Sequence, residues 1–372
     1  MKIAVNCWIL RNKQLDGIGN FTVETISRII RQNPNDTFLI MCDKKYSEKY
    51  FDFPNVELHK VFPALRHPVL YFFYMETSVK RFLAIHKPDV FLSMDGFLSL
   101  SSTAKQIPVI YDLNFEHYPK DLKWRNRFYY RTFFKKFAHK ASRIATISDY
   151  SKQDIINLYG VDESKIVNVS CGIKEKFRPL SESEILSTRE KVSEGKPYFF
   201  FIGSMHPRKN IIRLLQAFDL FKEKYKTNVK LVLAGPIWDN NEIQPFLKEI
   251  KNIKDIIFTG RISDDELKMQ LGSAMALSFM PTFEGFGLPI VEAFQAEVPV
   301  LCSNVTSMPE VAGDAALLAD PFNINDISEK MFKIYSDDTL KRELIEKGKE
   351  RKKIFSWDRT AELLYEVVKS VV

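Results

Sequence analysis

Two doubly wound, Rossmann-like α/β domains follow from three observations on a chain of 372 residues. Short β-rich runs alternate with helical periodicity from end to end, the pattern of strand–helix–strand units with right-handed crossovers. Many of those runs are apolar without interruption, as in parallel strands covered by helices on both faces. A polar, charged segment at 177–197, bracketed by Pro179 and Pro197, divides the chain and has room for a short helix. Domains are therefore expected at 1–178 and 179–355, facing each other across a cleft that takes ligand at the carboxyl ends of the strands.

In the first half the strand candidates are 2–8, 37–42, 89–94, 108–113 and 143–148. In the second half they are 198–203, 229–235, 256–260, 275–280 and 298–303. Helical periodicity fills 21–32, 121–140, 149–159, 210–225, 263–272 and 287–296.

Composition narrows the function classes. A hydrophobic content of 45% with 27% charged residues describes a soluble globular protein able to bury two cores. The net charge of +7 suits phosphorylated ligands or an anionic membrane surface without implying nucleic acid. Cys7, Cys42, Cys171 and Cys302 form no C-x-x-C pair and sit in apolar settings, so they read as reduced and buried rather than as a zinc site or disulfide framework. No apolar run approaches the roughly 20 residues of a membrane span, and the N-terminus does not read as a signal peptide. A cytoplasmic protein is expected.

The motifs cluster at strand ends. QLDGIGNFTVETI (14–26) places Gly17 and Gly19 between the first strand and first helix. As a dinucleotide fingerprint it lacks the third glycine; as a phosphate or acceptor loop it stands. YDLNFEHYPKDL (111–122) brings Tyr111, Asp112, Glu116 and His117 to a strand end, where a lone His is either structural or catalytic. The segment 120–143 is helical, basic and interleaved with aromatics. It reads either as a core-packed amphipathic helix or as a face for an anionic membrane.

GSMHPRKNIIRLLQAF (203–218) ends a strand at Gly203 and opens a helix near Asn210. Arg208 and Lys209 are cations at a helix start, where the dipole disfavours them. A diphosphate between them resolves the conflict. Gly235 and Gly260 end strands at the same edge, either for close ligand approach or as turns. Ser263 with Glu266 reads as a capping box. Finally FMPTFEGFGLPIVEAF (279–294) sets Glu284 in a loop and Glu292 in the helix after it, with Gly285, Phe286, Gly287 and Leu288 between. That separation suits two sets of ligand hydroxyls better than a glycosidase pair. No D-x-D occurs, so a metal held by paired aspartates is not expected.

In this order, GIGNFT, ATISDYSKQDI, the GI…F segment at 172–177, GSMHPRKN, EGFGLPIVEAF and FSWDRTAELLYEVV resemble the family 4 glycosyltransferases, retaining enzymes of the GT-B fold. The resemblance covers nearly the whole chain, and Glu284 and Glu292 match its E-x7-E signature. It implies a last helix at 356–372 returning to the first domain. It also implies a donor site for a nucleoside diphosphate sugar in the second domain, GDP-mannose first and UDP-sugars next. There Arg208 and Lys209 would neutralise the leaving diphosphate in place of a metal ion, with Gly203 and Gly235 bordering the donor. Glu284 would lie by the donor sugar, Glu292 at the ribose, and the backbone N–H groups of Phe286 to Leu288 at phosphate. Gly17 and Gly19 would border donor phosphates and acceptor.

No cofactor is implied; the acceptor would be a glycan or lipid-linked sugar in cell-surface polysaccharide biosynthesis, made at the inner face of the membrane. Many relatives have H-D-L where this chain has Tyr111-Asp112-Leu113. Asp112, as a catalytic residue with Glu284, Arg208 and Lys209, or His117 would then cover the role of that His, or the role is sugar contact alone, by Tyr111 and His117. A weakly active or non-catalytic sugar-nucleotide-binding protein is the alternative.

Overall fold

The computed structural model describes residues 1–11, 15–42, 48–61, 68–173, 176–237 and 240–372. Gln14 and positions 174–175 of the motifs above lie outside them. The chain forms two compact units, Met1–Gly172 with Ser356–Val372, and Ile173–Phe355.

In the first unit, β1 (Lys2–Asn6), β2 (Thr37–Met41), β3 (Val56–His59), β4 (Val90–Ser93) and β5 (Gln106–Pro108) make a parallel sheet of order β3-β2-β1-β4-β5. A further parallel pair, β6 (Ile144–Thr146) and β7 (Ile166–Asn168), continues it through a single bridge between Val109 and Ala145. In the second unit, β8 (Tyr198–Ile202), β9 (Lys230–Ala234), β10 (Ile256–Gly260), β11 (Ala276–Phe279), β12 (Val300–Ser303) and β13 (Leu317–Ala319) form a parallel sheet of order β10-β9-β8-β11-β12-β13. Successive side chains of a strand point to opposite faces. Tyr198, Phe199, Phe200 and Phe201 are all fully buried, so both faces of β8 are covered. The doubly wound reading holds in both units.

Several boundaries differ from the sequence reading. The strand expected at 108–113 is Gln106–Pro108, because Tyr111 and Asp112 leave the sheet and Asp112 Oδ1 accepts the Asn114 N–H at 3.0 Å in a turn. The first helix starts at Gly17 rather than residue 21, with Asp16 Oδ1 accepting the Gly19 N–H at 2.8 Å. Gly17 and Gly19 thus form its first turn instead of a loop. The basic helix is Trp124–Lys140, preceded by a 3-10 turn at Pro119–Asp121.

The dividing segment carries the short helix expected there. Its helix, Glu182–Ser193, carries a capping box from Ser181 and Glu184, and Arg189 donates to the Ser273 carbonyl at 2.9 Å. The division between the two units falls between Gly172 and Ile173, six residues before the expected boundary at 178/179. The capping box at Ser263 and Glu266 is present as read.

The helix Trp357–Lys369 packs within the first unit. Trp357 meets Phe21 edge-on at 5.8 Å, and Arg28 pairs with Asp358 at 2.9 Å. A Cβ on Gly172 would sit 2.2 Å from the Trp357 nitrogen, so the chain closes there on bare backbone. All four cysteines are buried, and none is in a disulfide.

Candidate functional site

In the second unit β8 is flanked by β9 on one side and β11 on the other, with the order reversing between β8 and β11. Loops leaving the carboxyl ends of those two strands part to opposite sides, which leaves a crevice at the switch point. The loop after β8 passes Gly203 (φ 147°) and makes a 3-10 turn at Pro207–Lys209. It then turns through Asn210 in the left-handed region (φ 61°) into the helix Ile211–Tyr225. Asn210 is buried, and its side-chain amide donates to the Pro321 carbonyl at 2.7 Å, which holds this unusual backbone in place.

The loop after β11 comes back to the same point. The Thr282 N–H donates to the Arg208 carbonyl at 2.8 Å, and Arg208 Nη1 donates to the Phe283 carbonyl at 3.3 Å. Glu284 Oε1 then takes both cations, Arg208 Nη1 at 2.6 Å and Lys209 Nζ in a second ion pair. The three side chains are only 12–22% exposed. Burial works against the Glu284 charge, but the Lys209 and Arg208 charges with their hydrogen bonds outweigh it and hold the carboxyl below its usual range. Lys209 also lies over the Phe279 ring at 4.9 Å.

The glycines divide by role. A Cβ on Gly235 would meet the Gly203 carbonyl oxygen at 2.0 Å, and the Gly235 N–H donates to the Gly260 carbonyl at 2.7 Å. These strand ends pack backbone on backbone, which favours turns over ligand approach as the reason for Gly235. Gly287 (φ 104°) starts the helix Leu288–Gln295, and a Cβ there would press on Met308.

Ser307, which sequence reasoning missed, donates to the Glu284 and Phe286 carbonyls at 2.9 and 3.1 Å. In a trans peptide the N–H opposes the C=O. Pinning those carbonyls therefore turns the Gly285 and Gly287 N–H groups away from Ser307. Nothing local marks Ser307, since serine beside a helix start reads first as a cap. Gly285 and Phe286 are buried, Leu288 is half-buried, and Glu292 is half-buried on the second helical turn.

In the first unit the Tyr111 hydroxyl donates to the Met94 carbonyl at 2.9 Å, and its ring meets Phe21 edge-on at 5.3 Å. Burial pushes its pKa well up. His117 Nε2 contacts both Asp154 carboxylate oxygens at 2.9 Å, a link between neighbouring elements. Among the described residues no group of three or more His, Cys, Asp or Glu is placed to hold a metal ion. Nor is any of their helices long and apolar enough to cross a membrane.

Comparison with known proteins assigns both halves. Residues 15–177 match the model described as Glycosyltransferase Family 4, and residues 182–351 match Glycosyl transferases group 1. The O-antigen chain mannosyltransferase B of Escherichia coli is 34% identical over 245 residues, which are 65% of this chain and 63% of that protein. The serotype-specific mannosyltransferase WbdA of the same species is 29% identical over 68% of this chain but only 31% of its own length. The matched region thus spans less than two thirds of each of these relatives. The Anabaena protein HepE, solved with UDP-glucose, superposes over the whole of both chains with a TM-score of 0.76 at 15% identity, a likeness of fold. The two-unit architecture is the GT-B fold. With one family domain in each unit, the chain belongs to the glycosyltransferases.

Proposed function

We propose that the protein is a retaining, metal-independent hexosyltransferase that moves a sugar from a nucleoside diphosphate donor to a glycan or lipid-linked acceptor in cell-surface polysaccharide biosynthesis. GDP-mannose is the first candidate donor and a UDP-sugar the second. Mannosyltransferase relatives support the first, and the fold neighbour holding UDP-glucose keeps the second open.

The observation that carries the reading is the convergence of Arg208, Lys209 and Glu284 at the switch point of the second sheet. Two preorganised cations there would stabilise the negative charge that develops on a departing diphosphate. Glu284 aligns both and stands beside the donor sugar, while Glu292 takes the ribose hydroxyls and the Phe286–Leu288 backbone takes phosphate. The acceptor hydroxyl would pass its proton to the leaving phosphate oxygen, so no separate base is required. The first unit supplies the acceptor contacts, with Asp112 and His117 among them.

Tyr111 favours a second reading, a weakly active or non-catalytic sugar-nucleotide binder. Its hydroxyl already donates to Met94 and its raised pKa makes it a poor proton acceptor in place of imidazole. Turnover with a lipid-linked acceptor separates the two. We also assign the exposed side of the Trp124–Lys140 helix to the cytoplasmic membrane surface, since Trp124 and Phe128 stand out from it among cations.

A thermal-shift panel with GDP, UDP, ADP and their sugars, with and without EDTA, tests the main reading. Selective stabilisation by one nucleotide, insensitive to EDTA, is expected. Absence of any shift would overturn it.

A further inference from the structure

Strand β12 lies beside β11 in the second sheet and runs parallel to it, so its outgoing loop reaches the same edge as the loop that carries Glu284. Two local irregularities meet in that outgoing loop. Thr306 stands at φ 57°, and among the described residues it is the only β-branched side chain in the left-handed region. A branched Cβ is crowded by its own backbone there, so the conformation persists only where the surrounding structure imposes it. Ser307 follows, in the N-cap position of the helix Met308–Ala312, where a serine hydroxyl ordinarily accepts a helix N–H. It makes no such bond. Its backbone is already helical (φ −78°, ψ −6°), and its hydroxyl serves as a donor to another loop.

Both irregularities act on the loop after β11. The Ser307 hydroxyl is fully buried and donates to the Glu284 and Phe286 carbonyls at 2.9 and 3.1 Å. Glu284 is thereby held at both ends, its carbonyl by Ser307 and its carboxylate by Arg208 and Lys209. Fixing two carbonyls on one side sets the Gly285 and Gly287 N–H groups toward the other. Backbone N–H groups aimed together in a turn make a concavity for anions, and these two stand where the helix Leu288–Gln295 begins.

The platform under this loop is firm. Met308 packs against Gly287, where a Cβ would meet its Cε at 2.7 Å. At the far end of the short helix Arg351 donates to the Val311 carbonyl at 3.1 Å and also to that of Glu310.

We propose that Ser307 is a positioning residue for the donor diphosphate. It sets the direction of the Glu284–Gly287 backbone through two carbonyls, and so governs affinity for the diphosphate without touching it. Thr306 is kept in its strained conformation because that brings the hydroxyl within reach of both carbonyls. This rests on the transferase reading and adds a residue that acts on its donor site from the loop of a neighbouring strand.

Ser193 supplies a matched control. It too is fully buried, and its hydroxyl donates to the Arg189 and Lys196 carbonyls at 3.0 and 2.6 Å, at the end of helix Glu182–Ser193 and outside these loops. The test compares wild type, Ser307→Ala, Ser307→Cys and Ser193→Ala, cysteine filling the serine space with a weaker donor. Isothermal titration gives the affinity for GDP and UDP, and ligand-observed NMR gives that for guanosine and uridine. The diphosphate that wild type selects should bind about fivefold or more weakly to both Ser307 variants, with its parent nucleoside within about twofold of wild type. Ser193→Ala should bind both like wild type, although its melting temperature falls. Unchanged diphosphate affinity in either Ser307 variant overturns the proposal. So does an equal loss for nucleoside and diphosphate, or an equal loss in Ser193→Ala. Binding of neither GDP nor UDP to wild type is the separate failure of the transferase reading, and the proposal falls with it.

Discussion

Glu284 carries the most specific chemistry at the scale of single residues. Removing it leaves Arg208 and Lys209 as partly buried cations without this partner, a loss worth about 2–4 kcal/mol. Glu284→Ala should therefore abolish sugar transfer and also lower stability, read from urea unfolding at pH 7. The ion pairs depress the Glu284 pKa, so their stabilisation is complete above the unfolded carboxyl value of about 4.3 and is lost as pH falls through the lower folded value. The stability gap between wild type and Glu284→Ala should accordingly be flat from pH 7 to about pH 5 and close only below about pH 4. A gap that narrows between pH 7 and 5, or transfer at the wild-type rate, would remove Glu284 from this role. The sequence shows the Arg208-Lys209 pair and Glu284 in separate motifs, and Thr282, which opens the second loop, follows Arg208 by 74 residues. Only the sheet order makes them neighbours. Ser307 left no trace in the sequence, because its role depends on which carbonyls happen to face it.

Among elements, the strand ends of the second sheet show how close backbone packing selects glycine. Gly235→Ala would drive a methyl into the Gly203 carbonyl at a φ of 132°. It should cost about 3 kcal/mol or more, seen as a lower urea midpoint with unchanged slope. Gly17→Ala serves as its opposite, since a Cβ there meets nothing within 4 Å and lies in a helical first turn. A gain of about 0.5–1 kcal/mol is expected there. Equal effects at the two positions would show that the close approach at Gly235 is not what matters.

Long periodic helices and fully apolar strands were readable, as was the capping box at Ser263, because each signal is local. β3, β7 and β13 were not. Each has three or four residues and is only partly buried, so neither length nor continuous apolarity distinguishes it from a loop. The late helices Ile324–Ser336 and Asp338–Arg351 were also passed over, hidden by their charge on the solvent side.

At the scale of the whole molecule the excess of positive charge is concentrated where aromatic side chains are exposed. Helix Trp124–Lys140 contains no acidic residue. Its Tyr129, Phe134 and Phe137 are buried, while Trp124 and Phe128 are 65% and 63% exposed one turn apart. The core-packed reading thus holds for the buried side of this helix, and the exposed side carries the proposed membrane contact. Leu70 and Phe73 add exposed apolar surface on helix Pro68–Tyr74, whose Phe72 packs on Phe133 at 4.7 Å. Vesicles of phosphatidylglycerol and phosphatidylcholine should sediment the protein at low salt, and pure phosphatidylcholine should not. Trp124→Ser with Phe128→Ser should weaken the anionic-vesicle binding about tenfold or more. Sedimentation that ignores lipid charge, or the double substitution, would dismiss this face as a membrane contact.

Fold class, the alternation of strand and helix, the Ser263 cap and the proposal of Arg208, Lys209 and Glu284 as donor-side residues came from the sequence alone. Those properties arise from interactions within a few residues or within one repeating pattern. The tertiary structure decided which distant groups meet: Glu284 with two cations, Asp95 with Asn6 and Tyr71, and Trp357 with Phe21. Such meetings depend on strand order and crossover direction, and these are set by how the apolar faces bury each other rather than by any short stretch of chain.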